Sequence, residues 1–122
     1  MSAERHFTAE RAGDVLCVVP LCDVTGVNQD AVQAGVAELL AMLAGVEPRH
    51  VVFDFREVEY FGSAMLETML TLWRHVRSRG GRLAVCNLSE AEREVLATVK
   101  FNTLWPIGET REEALQAVRG RA

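Results

Sequence analysis

The stretch Val51-Val52-Phe53-Asp54-Phe55 decides the fold of this chain. It is a short and nearly continuous apolar run, which is typical of a β-strand covered on both faces. Glycine-bounded patterns with the spacing of amphipathic helices lie before and after it in the sequence. Because strands that alternate with helices form sheets covered by those helices, the stretch predicts a central strand of an α/β sheet.

Two further strands are predicted before this one, at residues 7–11 and 15–21, joined by a short turn at Gly13. Pro20 limits how far the second strand can donate hydrogen bonds. Asn28 is a candidate N-cap for a first helix that ends near Gly45. The helical spacing is carried by Val32, Val36, Leu39, Leu40 and Leu43.

The rest of the chain repeats this alternation. A second helix is predicted after Ser63, with one buried apolar face that includes Trp73 and an end at Gly80-Gly81. That face consists of Leu66, Met69, Leu70, Trp73 and Val76. Strands follow at residues 83–86 and 104–107, and helices follow the capping-box pairs Ser89/Glu92 and Thr110/Glu113. The predicted order is ββαβαβαβα in a single domain, residues 1–122, with a mixed sheet and right-handed crossover helices.

Composition restricts the class of function. The net charge is −4, and acidic and basic residues are interspersed, so no nucleic-acid footprint and no basic membrane patch is expected. Cys17 and Cys86 lie in apolar runs and are expected to be buried thiols, which favours a reducing compartment. No apolar stretch has the length of a membrane span or the form of a signal peptide. The expectation is a cytoplasmic domain whose partners are proteins.

No catalytic set is expected. Sites in such sheets lie beyond the carboxyl ends of the strands, which directs attention to residues 60–63. Ser63 follows a glycine there, but the G-x-S-x-G pattern of a nucleophile elbow is incomplete. His75 would be roughly 18 Å further along the same helix, and His50 roughly 15 Å away at the other end of its strand. Only His6 is left as a base for a small hydrolase, and a single histidine on the first strand is weak support for a catalytic triad.

Metal ligands and phosphate-binding loops are not expected either. The three histidines and three cysteines lack metal-ligand spacing, and neither of the common phosphate-binding glycine patterns occurs. The sequence predicts neither a metal nor a cofactor.

Two residues have competing interpretations. Asp54, inside the apolar strand, could lie near solvent or accept backbone hydrogen bonds, or it could shape the loop that ends at Ser63. Ser63 could cap the second helix, or it could be a phosphorylation site, because a helix N-terminus tolerates added negative charge.

The element order, the run Val51-Val52-Phe53-Asp54-Phe55, the loop ending in Ser63 and the stretch Gly80-Gly81-Arg82-Leu83-Ala84-Val85-Cys86-Asn87 together resemble the STAS domain family. The chain is similar in particular to bacterial anti-sigma factor antagonists, whose loop before the second helix reads roughly D-S-S-G-L. The resemblance implies an α/β STAS-like fold. It also implies binding to an anti-sigma factor, often a serine kinase protein, with release of a sigma factor when the antagonist is unphosphorylated.

The loop departs from the family motif. Gly62 takes the place of the acidic residue, Ser63 matches the first serine, and Ala64 stands where the family has its usual phospho-acceptor. Met65 replaces the glycine, whereas Leu66 keeps the leucine. A second family signature, G-E-L-D after the second strand, is here Cys22-Asp23-Val24-Thr25, in which only Asp23 keeps an acidic character.

These comparisons give a candidate partner-binding set of Tyr60, Phe61, Gly62, Ser63, Ala64 and Asp23, with Ser63 as the candidate phospho-acceptor. Of the two aromatic residues, one is expected to point into the core. The first hypothesis is a regulatory protein-binding domain that is switched by phosphorylation of Ser63. The alternative is a structural STAS subunit of a larger signalling assembly, with self-association into a homo-oligomer and no phosphorylation switch of its own.

Overall fold

A five-stranded sheet with β3 at its centre organises the chain. The computed structural model describes residues 6–22 and 29–120. The strands are β1 (Phe7–Ala12), β2 (Val15–Pro20), β3 (His50–Asp54), β4 (Leu83–Cys86) and β5 (Ile107–Gly108). The helices are α1 (Gln29–Met42), α2 (Ser63–Ser78), α3 (Glu90–Thr98) and α4 (Arg111–Val118), and one turn of 3-10 helix covers Phe101–Thr103. The predicted order ββαβαβαβα is confirmed.

The strands follow one another across the sheet in sequence order, β1-β2-β3-β4-β5. The β1–β2 pair is an antiparallel hairpin, and the other three pairs are parallel. Each connection between parallel strands therefore leads to the adjacent strand, always on the same side of the preceding one. Because right-handed crossovers that all move one way place their helices on one face, α1, α2 and α3 share a face of the sheet. They enclose the larger core, which contains Val51 and Phe53 of β3.

The opposite face is covered by α4. The buried hydrophobic residues there are mostly small, and they are Val15, Cys17, Val52, Ala84, Cys86, Ala114, Leu115 and Val118. Cys17 and Cys86 are buried free thiols, as the sequence predicted. Removing a thiolate from water is costly, so burial raises the pKa of Cys17 and raises that of Cys86 to about 12.

The buried face of α2 differs from the predicted one. The buried positions are Met65, Thr68, Met69, Leu72 and Val76. Trp73, expected in the core, is half-buried and meets the Trp105 ring at 6.1 Å. Thr68 can occupy a core position because its hydroxyl donates to the Ala64 carbonyl at 3.1 Å. Met69 and Val76 of the predicted face are buried as expected, whereas Leu66, Leu70 and Trp73 are only half-buried, because the buried face also includes Met65, Thr68 and Leu72.

The last strand also differs from its predicted span of residues 104–107. Leu104 ends the 3-10 turn, and β5 begins only at Ile107. Pro106 has no N–H group, but its carbonyl accepts the Val85 N–H at 3.1 Å. Because Pro106 can accept but cannot donate a backbone hydrogen bond, regular pairing with β4 begins only at Ile107.

The predicted helix caps were right in part. Ser89 and Glu92 form the full capping box at the start of α3. Thr110 caps α4 by accepting the Glu113 N–H, but the Glu113 carboxylate accepts from the N–H of Glu109 rather than from that of Thr110. Asn28, the proposed cap of α1, lies outside the described residues.

Candidate functional site

The connection from β3 to α2, residues 55–62, forms the surface at the carboxyl end of the central strand. Phe55, Val58 and Phe61 are buried, and the Phe55 and Phe61 rings pack with their centroids 4.9 Å apart. Tyr60 lies between two of these anchors and is 56% exposed. The three apolar anchors therefore hold a short loop that presents one aromatic side chain to solvent.

Ser89 fastens this loop to α3. Its hydroxyl donates to the Glu59 carbonyl at 2.6 Å and accepts the Glu92 N–H at 3.1 Å. One side chain thus caps a helix and fixes the backbone next to Tyr60. The sequence showed the capping role but gave no signal for the second contact, because Glu59 is thirty residues away in the chain.

Ser63 is the first residue of α2, and its side chain is exposed. The N-cap position belongs to Gly62, which has no side chain to cap the helix, so the interpretation of Ser63 as the N-cap is wrong. The first turn of α2 contains no acidic residue. The backbone N–H groups of that turn and the positive end of the helix dipole therefore lie beside an exposed hydroxyl.

Asp54 lies beneath this surface, on the α4 side of the sheet, and its side chain is 1% exposed. It accepts the backbone N–H of Arg56 at 3.1 Å and the amide of Asn87 at 2.9 Å. The guanidinium groups of Arg56 and Arg111 approach its other oxygen at 3.2 and 3.1 Å. Asp54 is therefore not close to solvent. It accepts backbone and charged donors together, and through Arg56 it fixes the start of the 55–62 loop.

Arg111 extends the network to β1. Its Nη1 atom lies 2.8 Å from a carboxylate oxygen of Glu10. The hydrogen bond and charge of Arg111 lower the pKa of Glu10, and the bond to Glu10 raises the pKa of Arg111 against the opposing effect of burial. An arginine at the first position of a helix is electrostatically unfavourable. Its presence at that position in the sequence therefore indicates that the side chain has a role other than stabilising the helix. Asn87 carries a second such signal, because an asparagine directly after a strand is one of the residues that tolerate a positive φ. The structure shows a φ of 59° there.

The histidines do not assemble a catalytic pair with Ser63. His50 lies at the amino end of β3, where its Nδ1 accepts the Arg82 N–H at 3.0 Å and its Nε2 faces Asp14. The Nδ1 atom of His6 lies 3.7 Å from the sulfur atom of Cys22. Among residues 6–22 and 29–120, no group of three metal-ligating side chains occurs. No helix within those ranges is long and apolar enough to cross a membrane.

The structure brings most of the candidate partner-binding residues into one continuous segment. Tyr60, Gly62, Ser63 and Ala64 line the surface, and Phe61 supports them from the core with no exposed area. The expectation that one of the two aromatics points inward is confirmed. Asp23 lies outside the described residues.

An apolar groove between α1 and α2 continues this surface. Its volume is about 300 Å³, and Ala64 lies at its end nearest the loop. Val36 and Leu40 of α1 form one wall, and both are half-buried. Ala64 thus connects the exposed loop to a neighbouring apolar surface.

Comparison with known proteins identifies the family. The model of the STAS domain matches residues 6–114 of this chain. The chain therefore belongs to the STAS family, as its sequence resemblance indicated, and its mixed sheet with four helices is the fold of that family.

Individual relatives refine this assignment. The chain is 34% identical over 83 residues to a protein of Bordetella bronchiseptica provisionally named anti-sigma factor antagonist BtrV, covering 68% of this chain and 71% of that protein. A STAS domain protein from Planctomyces limnophilus, described as an anti-sigma-factor antagonist, superposes with a TM-score of 0.75 and 26% identity, covering 93% and 97% of the two chains. The unphosphorylated anti-sigma factor antagonist SpoIIAA shares the fold, with a TM-score of 0.75, 20% identity and coverage of 95% and 98%. The chain is thus an anti-sigma-factor-antagonist-like STAS domain.

Proposed function

We propose that this domain is an anti-sigma factor antagonist that binds an anti-sigma factor through residues 55–64. The observation that carries the proposal is the exposed Ser63 hydroxyl at the first position of α2, beside the exposed ring of Tyr60. Aromatic side chains on a rigid support are effective binding anchors because little conformational entropy is lost on contact. The names of the relatives support the choice of partner.

Phosphorylation of Ser63 is the switch that we propose for this surface. The exposed hydroxyl is accessible to a serine kinase, and the helix N-terminus stabilises added negative charge by about 0.3–1 kcal/mol. Phosphorylation would therefore leave the fold intact. At an interface the same charge must lose its hydration without a partner, so binding falls.

Ala64 gives the alternative its support. With alanine at the usual acceptor position, a structural subunit without a phosphorylation switch is the second candidate, and Ser63 is then an ordinary contact residue. Mass spectrometry of the protein isolated from its native cells distinguishes the two, because only the switch requires phosphate on Ser63.

The binding test places a negative charge at the start of α2 and, as a control, at its end. Anti-sigma factors captured from the native cells are identified, purified and titrated with the parent, Ser63→Asp, Ser63→Ala and Tyr60→Ala. Ser63→Asp and Tyr60→Ala should weaken the affinity by about tenfold or more, whereas Ser63→Ala should bind almost normally. Ser78→Asp is the matched control, since Ser78 is exposed at the other end of α2.

The control should keep full affinity and should lose a little stability, because negative charge opposes the helix dipole there. Equal affinities for all five proteins would remove residues 60–63 from the interface. A greatly lowered unfolding midpoint for Ser63→Asp would show that the hydroxyl is not the free surface group that we describe. Failure to capture any anti-sigma factor would contradict the proposed partner.

A further inference from the structure

A groove of about 510 Å³ lies at the edge of the sheet opposite to residues 55–62. It exists because β5 has only two residues, which pair with Val85 and Cys86 and leave the amino half of β4 without a neighbouring strand. Trp73, Leu104 and Pro106 supply apolar walls, and Arg77 and Arg82 stand at the rim. The groove therefore combines an apolar interior with positive charge.

Neither rim arginine has a carboxylate partner within residues 6–22 and 29–120. Arg11, Arg49, Arg56, Arg93 and Arg111 each form an ion pair, but Arg77 and Arg82 form none with any residue that the structure describes. Arg77 lies over the Trp73 ring at 5.0 Å, which keeps its guanidinium beside the groove. This edge of the molecule is thus a fixed positive surface that no acid of the described chain neutralises.

The 55–62 loop has the complementary chemistry. Glu57 and Glu59 are exposed on it, and its one arginine, Arg56, lies 3.2 Å from Asp54 and 3.8 Å from Glu57. The loop therefore carries two acidic side chains against one arginine, which is shared with buried Asp54. Tyr60 adds an exposed aromatic ring next to these two acids. The buried anchors and the Ser89 bond hold the three side chains on one short, ordered segment.

We propose that the groove binds the 55–62 loop of a second copy of this chain. Tyr60 of one molecule enters the apolar groove of the next, and Glu57 and Glu59 pair with Arg77 and Arg82. Aromatic anchoring in an apolar pocket supplies affinity, and the charges set orientation and partner choice. Because loop and groove lie at opposite ends of the sheet, the contact is head-to-tail and generates open chains or rings.

Self-association of this kind covers the surface that a partner protein would need. This consequence rests on the proposed function, since residues 55–64 are the proposed binding site for the anti-sigma factor. The two interactions are then mutually exclusive at each loop, and only the terminal molecule of an open chain has its loop free.

The association is tested with the purified chain alone, so its failure leaves the proposed function untouched. Sedimentation velocity of the parent should show growth with protein concentration and dissociation as salt rises from about 0.05 to about 0.5 M. Arg77→Glu/Arg82→Glu reverses the charge of the groove, and Glu57→Arg/Glu59→Arg reverses the charge of the loop. Each double variant should associate at least about tenfold more weakly than the parent.

Mixing the two double variants gives the decisive result. The first keeps a normal loop and the second keeps a normal groove, and the reversed loop and the reversed groove are also complementary in charge. The mixture should therefore form alternating chains, which neither variant forms alone. Arg74→Glu/Lys100→Glu makes the same charge change at exposed positions outside the groove and should associate like the parent. Circular dichroism establishes that each variant is folded.

Three results would overturn the proposal. They are a parent that stays monomeric at every concentration and salt, double variants that associate like the parent, and a mixture that forms no complex. A fourth contradicting result is a polyglutamate peptide that binds the groove as tightly as the loop does. The groove would then be a site for acidic segments in general, and the self-contact would not be specific.

Discussion

At the scale of single residues, Asp54 has the largest role in organising the site. A buried carboxylate is tolerated only when charged and neutral donors together replace its hydration. Here four donors do so, from Arg56, Asn87 and Arg111. The same bonds join the end of β3 to the following loop, to the end of β4 and to the start of α4.

Asp54→Asn is expected to destabilise the protein by about 3 kcal/mol, because removing one partner of a buried ion pair leaves the other charges uncompensated. Arg111 keeps Glu10 and is partly exposed, which limits the loss. Urea unfolding with Glu57→Gln as the control measures this, since Glu57 is exposed and its substitution should change stability by less than about 0.5 kcal/mol. Equal midpoints for the two variants would show that the network contributes no net stability.

At the scale of secondary structure, α2 joins the core to the binding surface. Its buried stripe fixes the helix against the sheet, and this orientation sets the direction in which Ser63 and Ala64 point. Its flanks are also apolar, because α2 packs between neighbouring elements. Leu66, Leu70 and Trp73 cover those flanks and are half-buried.

Leu72→Ala should cost more stability than Trp73→Ala, which reverses the order that the residue sizes suggest. Leu72 has no exposed area, so its truncation leaves a cavity and costs about 3 kcal/mol. Trp73 is half-buried beside an open groove, and the expected cost falls from the 3–5 kcal/mol of a buried tryptophan to about 1–2 kcal/mol. Thermal or urea unfolding decides between them, with the exposed neighbour Thr71→Ala as the control. A larger loss for Trp73→Ala would restore the predicted helix face.

At the scale of the whole molecule, stability is expected to fall as the pH is lowered, in two separate windows. Burial lowers the pKa of His50 below its ordinary value of 6.5, and Arg111 lowers that of Glu10 below 4.5. A lowered folded-state pKa means that the unfolded chain binds the proton first. The contribution of each group is therefore complete above its ordinary pKa and is lost as the pH falls through its lowered folded-state pKa.

The measurement is the unfolding midpoint between pH 8 and pH 3. His50→Gln should flatten the slope that begins near pH 6.5, and Glu10→Gln should change only the slope below about pH 4.5. The histidine window has a structural cause, because a proton on Nδ1 would face the Arg82 N–H that now donates to it. A midpoint that rises between pH 7 and pH 5 would contradict this account of His50.

The sequence alone determined the family, the order of the elements and the position of the candidate site. Periodicity and glycine placement are local properties of the sequence, and the apolar composition of a short strand such as residues 51–55 is enough to predict that it is buried. The tertiary structure decided what depends on distant residues. It moved the buried face of α2 to include Thr68, gave Gly62 rather than Ser63 the cap of that helix, and showed that Phe61 points inward.

Contacts across long sequence separations could not be predicted at all. Ser89 meets the Glu59 carbonyl, Arg111 reaches both Asp54 and Glu10, and Arg77 and Arg82 border one groove. The physical reason is that a side chain's hydrogen-bond and charge partners are set by the packing of several elements at once. The pattern along the chain shows which elements form, whereas their packing in three dimensions decides which polar groups meet and which remain available to a partner.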